Sequence, residues 1–150
     1  MRARSLPARP SRVSAKSSNA MDLYSPMSYP TRIVCLTEET TETLYLLGEG
    51  DRVVGISGYT VRPPEARQKP KVSSFLHARY EKIEALKPDL ILAFSDLQAD
   101  ITNDLVKRGY PVFTFNQRSV AEILQMIRVL GGIIGVSDNC LLYTSPSPRD

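Results

Sequence analysis

Tryptophan is absent from the sequence, histidine occurs once, as His77, and cysteine twice, as Cys35 and Cys140. A nucleophile activated by histidine would have to use His77, which sits beside Leu76 with no serine-elbow motif anywhere in the chain. No cysteine pair, no His-Glu-x-x-His run and no carboxylate cluster at metal-ligand spacing occurs, so the chain offers no motif for a metal centre. Glycine is sparse, at 8 residues, and Gly48-Glu49-Gly50 lacks both the third glycine and the Lys-Ser/Thr ending of a phosphate loop. No apolar run approaches the roughly 18 residues that a membrane-spanning helix requires. Residues 1–20 also lack the apolar stretch, roughly 7 to 15 residues long, of a secretory signal. With every catalytic motif missing, binding is favoured over chemistry, and no catalytic or metal-ligating residue is nominated.

What is present is the composition of one globular domain: 150 residues, 42% hydrophobic and 23% charged, with a mean hydropathy of -0.19. The net charge of +3 is unevenly placed. Residues 1–20 carry five basic side chains and no acid, whereas residues 31–139 carry thirteen basic against fourteen acidic. A surface that tracks phosphates needs a cationic excess that the middle lacks, so nucleic acid is not an expected partner.

Both ends read as appendages. Residues 1–30 are rich in Arg, Ser and Pro, and we read them as a disordered or spurious N-terminal extension with Met21 or Met27 as a natural start. Cys140 to Asp150 reads CLLYTSPSPRD, which resembles the translation of a transposase sequencing adapter. On that reading the domain occupies 31–139, the chain is a fragment, and Cys35 is the only natural cysteine, acting as a small hydrophobe in a strand.

Periodicity predicts alternating strands and helices. Arg32 to Leu36, Val53 to Ile56, Leu90 to Phe94 and Val112 to Phe115 are short, β-branched or aromatic apolar runs, with a further short extended piece over Val72 to Phe75. Leu90 to Phe94 is apolar throughout, as in a parallel strand covered on both faces. Helices are predicted after Thr41, ending at Gly48; over Tyr80 to Leu86; from a cap at Asp96 through Leu97, Ile101 and Leu105 to Gly109; and from the capping box Ser119-Val120-Ala121-Glu122 through Ile123, Leu124, Ile127 and Leu130. The fold class is therefore α/β, a Rossmann-like lobe with a mainly parallel sheet flanked by helices.

In such sheets ligands sit beyond the carboxyl ends of the strands. That rule nominates the loops Thr37 to Thr40, Ser57 to Arg62, Ser74 to Arg79, Ser95 to Gln98 and Asn116 to Ser119. Aromatics stand in or beside three of them, as Tyr59, Phe75 and Phe94. Glu38 and Glu39 open a helix, where its dipole stabilises them without any catalytic role. His77 is a loop histidine, either solvated or in contact with a ligand.

The ordered set Arg32-Ile33-Val34-Cys35-Leu36-Thr37-Glu38-Glu39-Thr40, Asp51-Arg52-Val53-Val54-Gly55-Ile56-Ser57-Gly58-Tyr59 with Pro63-Pro64-Glu65-Ala66, and Ile83-Glu84-Ala85-Leu86-Lys87-Pro88-Asp89-Leu90-Ile91-Leu92-Ala93 resembles one family across essentially all of 31–138. It is similar to the N-terminal lobe of the cobalamin and ferric-siderophore substrate-binding proteins of ABC importers, the Fe/B12 periplasmic-binding domain. The resemblance implies one half of a two-lobe class III binding protein whose lobes are joined by a long helix beginning near Asn139, with the ligand in the cleft between them. It implies cobalamin as transported ligand rather than as a covalent cofactor, an ABC-importer membrane subunit as partner, a monomer, and a periplasmic address, with a cytoplasmic corrinoid-handling protein as the alternative. On matching positions, Tyr59, Phe75 and Phe94 fall where cobalamin-type members set aromatics against the corrinoid. Thr37, Glu38, Glu39 and Thr40 fall in a loop lining the same cleft, and Ser95 and Asp96 follow Phe94 at its rim. Glu81 falls at the position of an acidic residue that docks the membrane subunit. Two of the three aromatics are Phe, and Arg62 precedes the prolines, which suits an anionic ferric siderophore or a corrinoid phosphate. A ferric-siderophore or haem binder is thus the second reading, and an α/β enzyme with its catalytic residues in a missing C-terminal region the third.

Overall fold

The computed structural model describes residues 28–138. The nominated extension and tail therefore lie outside the described residues except for 28–30, as does the start of any joining helix near Asn139. Five strands form one sheet: β1 (Ile33–Cys35), β2 (Val53–Ser57), β3 (Lys71–Ser73), β4 (Leu90–Phe94) and β5 (Val112–Phe115), in the order β3-β2-β1-β4-β5. All four neighbouring pairs are parallel, as the apolar runs predicted.

The alternation of the pleat sorts the core into two layers. Ile33, Cys35, Leu90 and Leu92 face one way and pack with Leu44 of α1, with Leu47 that caps it, and with Met126, Leu130 and Ile134 of α4 (α1 is Glu38–Leu46, α4 is Val120–Ile134). Val34, Leu36, Ile91 and Ala93 face the other way and pack with Ile83 of α2 (Tyr80–Leu86) and with Ile101 and Leu105 of α3 (Ala99–Lys107). Burial on both faces explains why β4 is apolar at every position. Cys35 is fully buried, and burial pushes its thiol from an ordinary value near 9 up to about 12, so it stays a neutral hydrophobe as expected.

Helix ends follow local chemistry. Gly48 ends α1 at φ +78° and Gly109 follows α3 at φ +94°, conformations that a side chain would strain. Ser119 Oγ accepts from the Glu122 amide at 3.2 Å, so the expected cap forms, and the Glu122 carboxylate reaches back to the Arg118 amide, one residue before the cap. The two helices of the second layer are linked by Tyr80, whose hydroxyl donates to Asp104 at 2.9 Å beneath the Arg108 guanidinium.

Three expectations need correction. The cap at the β4 exit is Ser95, whose Oγ accepts from the Leu97 amide at 3.2 Å, and not Asp96, whose exposed carboxylate lies 3.5 Å from Arg118. Residues Asp96–Gln98 form a 3₁₀ turn before α3, and three residues per turn shift the phase of everything upstream. Leu97 is consequently 61% exposed and Gln98 fully buried, the reverse of the pattern drawn from Leu97, Ile101 and Leu105. In α4 the buried stripe is Met126, Leu130 and Ile134, at four-residue spacing, while Ile123 and Leu124 are exposed.

Candidate functional site

The sheet order reverses at β1 and β4, which are neighbours in space although β2 and β3 intervene in sequence. The chain leaves β1 into α1 on one face and leaves β4 into α3 on the other, so their exits part and open a crevice at the carboxyl ends. On the α1 side of it a cavity of about 320 Å³ lies between α1 and α4, lined by Glu39, Phe94, Gln117, Ile123 and Met126 among others. Of the nominated residues, Glu39 and Phe94 line it directly.

The threonines of the β1 loop turn inward. Thr37 and Thr40 are buried, their hydroxyls 3.1 Å apart, and Thr40 and Thr41 both donate to the Thr37 carbonyl. They shape the first turn of α1, which begins at Glu38 and not after Thr41 as expected because these hydroxyls turn back onto the Thr37 carbonyl, and the solvent-facing groups of that turn are the carboxylates of Glu38 and Glu39. Arg62, expected to present charge to an anionic ligand, is instead engaged at 3.5 Å with Glu38 and at 3.9 Å with Glu42. Opposite charges on facing elements attract across the loop, leaving this guanidinium less available to a ligand.

Phe75 and Phe94 belong to different loops and are joined by a residue that hydrophobic periodicity passed over. The Gln98 side chain is fully buried. Its Oε1 accepts from the Phe94 amide at 2.9 Å, and its Nε2 donates to the Phe75 carbonyl at 2.9 Å and to the Leu36 carbonyl at 3.1 Å. One amide thus fixes the exits of β1, β3 and β4 together, satisfying backbone groups that no ladder reaches. Next to it, Ser95 holds φ 57° and ψ 176°, a region essentially reserved for glycine. That strain persists because the Ser95 amide is bonded to the Phe115 carbonyl and its side chain caps the following turn.

Tyr59 stands apart, 67% exposed, in the loop after β2. Glu81 is exposed in the first turn of α2, between Arg79 and Lys82. Gln117, in the nominated β5 loop but not singled out, lines the crevice with its buried Oε1 unpartnered. Among the described residues, no group of three or more His, Cys, Asp or Glu side chains stands together as a metal site would need. No described helix is long and apolar enough to cross a membrane.

Comparison with known proteins bears on family and fold. The sequence profile of the periplasmic binding protein family matches residues 33–141. An uncharacterized ABC transporter substrate-binding lipoprotein, YvrC of Bacillus subtilis, is 36% identical over 106 residues, 68% of this chain and 33% of its own length. A vitamin B12-binding protein of Pectobacterium carotovorum is 39% identical over 67 residues, 45% of this chain and 24% of its own. Among solved structures, the periplasmic vitamin B12 binding protein BtuF of Vibrio cholerae superposes with a TM-score of 0.70 at 27% identity, over 79% of this chain and 48% of that one. The chain spans about a third or less of these curated relatives and about half of the solved one.

Proposed function

The chain belongs to the periplasmic binding protein family, and from that premise we propose that it forms one wall of an interlobe cleft that binds a cobalamin-like corrinoid for delivery to an ABC importer. The whole protein acts outside the cytoplasm, without chemical change to its ligand. The observation that carries this reading is the pair Phe75 and Phe94, brought to one rim by Gln98 although nineteen positions apart in sequence. A flat, partly apolar macrocycle gains from rigid aromatic area, at roughly 0.5 to 1.5 kcal/mol per well-formed contact beyond the area buried. Relatives named for vitamin B12 binding support the corrinoid reading. In this reading Tyr59 closes on the ligand from the β2 side, Glu38, Glu39, Ser95 and Asp96 line the rim, and Glu81 docks the membrane subunit.

The test is calorimetric titration of the whole protein with cobalamin, a ferric siderophore and haem in turn. Cobalamin is expected to bind most tightly, and Phe75→Ala or Phe94→Ala to weaken it by roughly 1 to 3 kcal/mol. Tighter binding of haem or the siderophore would install the second reading. Unchanged cobalamin affinity in both variants would return the two rings to a purely structural role.

A further inference from the structure

Away from the crevice, the sheet edge at β3 holds a larger concavity of about 730 Å³, whose lining includes Lys69, Lys71, Ser73, His77, Arg79 and Lys82 and no acidic side chain. Strand order puts β3 two places from β1, roughly 10 Å at ordinary strand spacing, so this is not the space between β1 and β4. Its composition follows from the chain path. Lys71 and Ser73 alternate along the strand and share one side of the pleat, and Lys69 enters from the 3₁₀ turn just before it. After Ser73 the chain doubles back, with the Ser74 amide donating to the His77 carbonyl and the Arg79 amide to the Val72 carbonyl, both at 2.8 Å. That return brings Arg79 and then Lys82 over the same hollow.

Two features lack an internal explanation. None of Lys69, Lys71, Arg79 or Lys82 enters an ion pair among the described residues, so four positive charges converge without a counterion from the chain. Ser73 is only 6% exposed, lines the hollow, and its Oγ is buried with no hydrogen-bond partner. Like charges repel and an unpaired buried hydroxyl forfeits its water. A bound acceptor of negative charge relieves both at once. We propose that this pocket is a binding site for a compact phosphate-type oxyanion, free or carried on a larger molecule, with Ser73 Oγ donating and the four cations neutralising it. The site adjoins the loops that carry Tyr59 and Phe75 but shares no lining residue with the cavity at Glu39 and Phe94, and phosphate is titrated without any corrinoid present.

The experiment titrates the full 150-residue chain with inorganic phosphate at constant ionic strength held by chloride, following the backbone amide resonances of Gly58, Ser73 and Ser74. A saturable shift is expected. The double variant Lys71→Ala/Arg79→Ala, which removes two exposed side chains and leaves the core intact, should bind about tenfold more weakly or worse. Ser73→Ala should weaken binding by about threefold while leaving thermal stability equal or higher, since it deletes a hydroxyl with no partner. Dimethyl phosphate separates the sources: equal affinity identifies a diester on a larger molecule, and much weaker affinity identifies the free dianion. A linear response without saturation, or equal saturation in the wild type and the double variant, overturns the proposal.

Discussion

At the carboxyl edge of the sheet, the exits of β1, β3 and β4 are tied to one buried amide, that of Gln98, while the loop after β2 is not joined to it and is anchored at its start, where the Gly58 amide donates to the Ser73 carbonyl at 2.6 Å. In that loop Tyr59 is 67% exposed and the buried Thr60 Oγ1 has no partner. The two aromatics on the braced side, Phe75 and Phe94, are half-buried, and their backbone is bonded to the same side chain. The lesson is that a rim can combine fixed and unfixed parts. A buried polar group with all its partners specifies position, because any displacement strands backbone groups away from water. An aromatic left in solvent gains its burial only when something else arrives.

The sharpest way to break this comparison is to remove the brace. Gln98→Leu keeps side-chain volume but leaves the Phe94 amide and the Phe75 and Leu36 carbonyls without their partner, and is expected to cost about 3 kcal/mol of stability. Urea denaturation at unchanged slope reads this directly; a loss below about 1 kcal/mol would mean that water replaces the amide and that the brace is not structural. Next in size is the strained step beside it. Ser95→Ala loses the cap and keeps the strain, and should destabilise by about 1 kcal/mol. Ser95→Gly loses the cap at small cost and releases the positive φ, and should stabilise by about 1 kcal/mol. Two substitutions at one residue with opposite signs separate cap from strain, and the same sign for both would show that the backbone relaxes once the hydroxyl is gone.

What was legible in the sequence divides along similar lines. The parallel sheet, the boundaries of α2, the glycine ends and the Ser119 cap depend on neighbours in the chain, and local pattern reported them. Gln98 depends on three loops converging, and a lone polar residue beside an apolar periodicity carries no mark of that. The 3₁₀ turn hid it further, since extending α3 backwards at 3.6 residues per turn assigns Leu97 to the core. Asp96 suits a cap by residue type, but Ser95 one position earlier suits it equally, and only the Leu97 amide bonded to Ser95 Oγ shows which of the two caps the turn. Resemblance nominated Tyr59, Phe75 and Phe94 for the ligand wall, a role left to the titrations above, and it did not foresee that Thr37 and Thr40 bond to each other, or that Arg62 is paired with Glu38 and Glu42.

The smallest expected effect is also the one that sharpens the contrast most. Tyr59 lies in water and none of its side-chain atoms makes a described hydrogen bond, so Tyr59→Ala should change stability by less than about 0.5 kcal/mol. Phe94 packs into the crevice beside the brace, so Phe94→Ala must disturb folding as well as binding. Measuring thermal stability and cobalamin affinity together in the whole protein places the two residues on separate axes. Tyr59→Ala should lose affinity at constant stability, the mark of an aromatic whose contacts form only with the ligand. If it loses neither, the β2 loop is not part of the wall, and the ligand is held from the braced side alone.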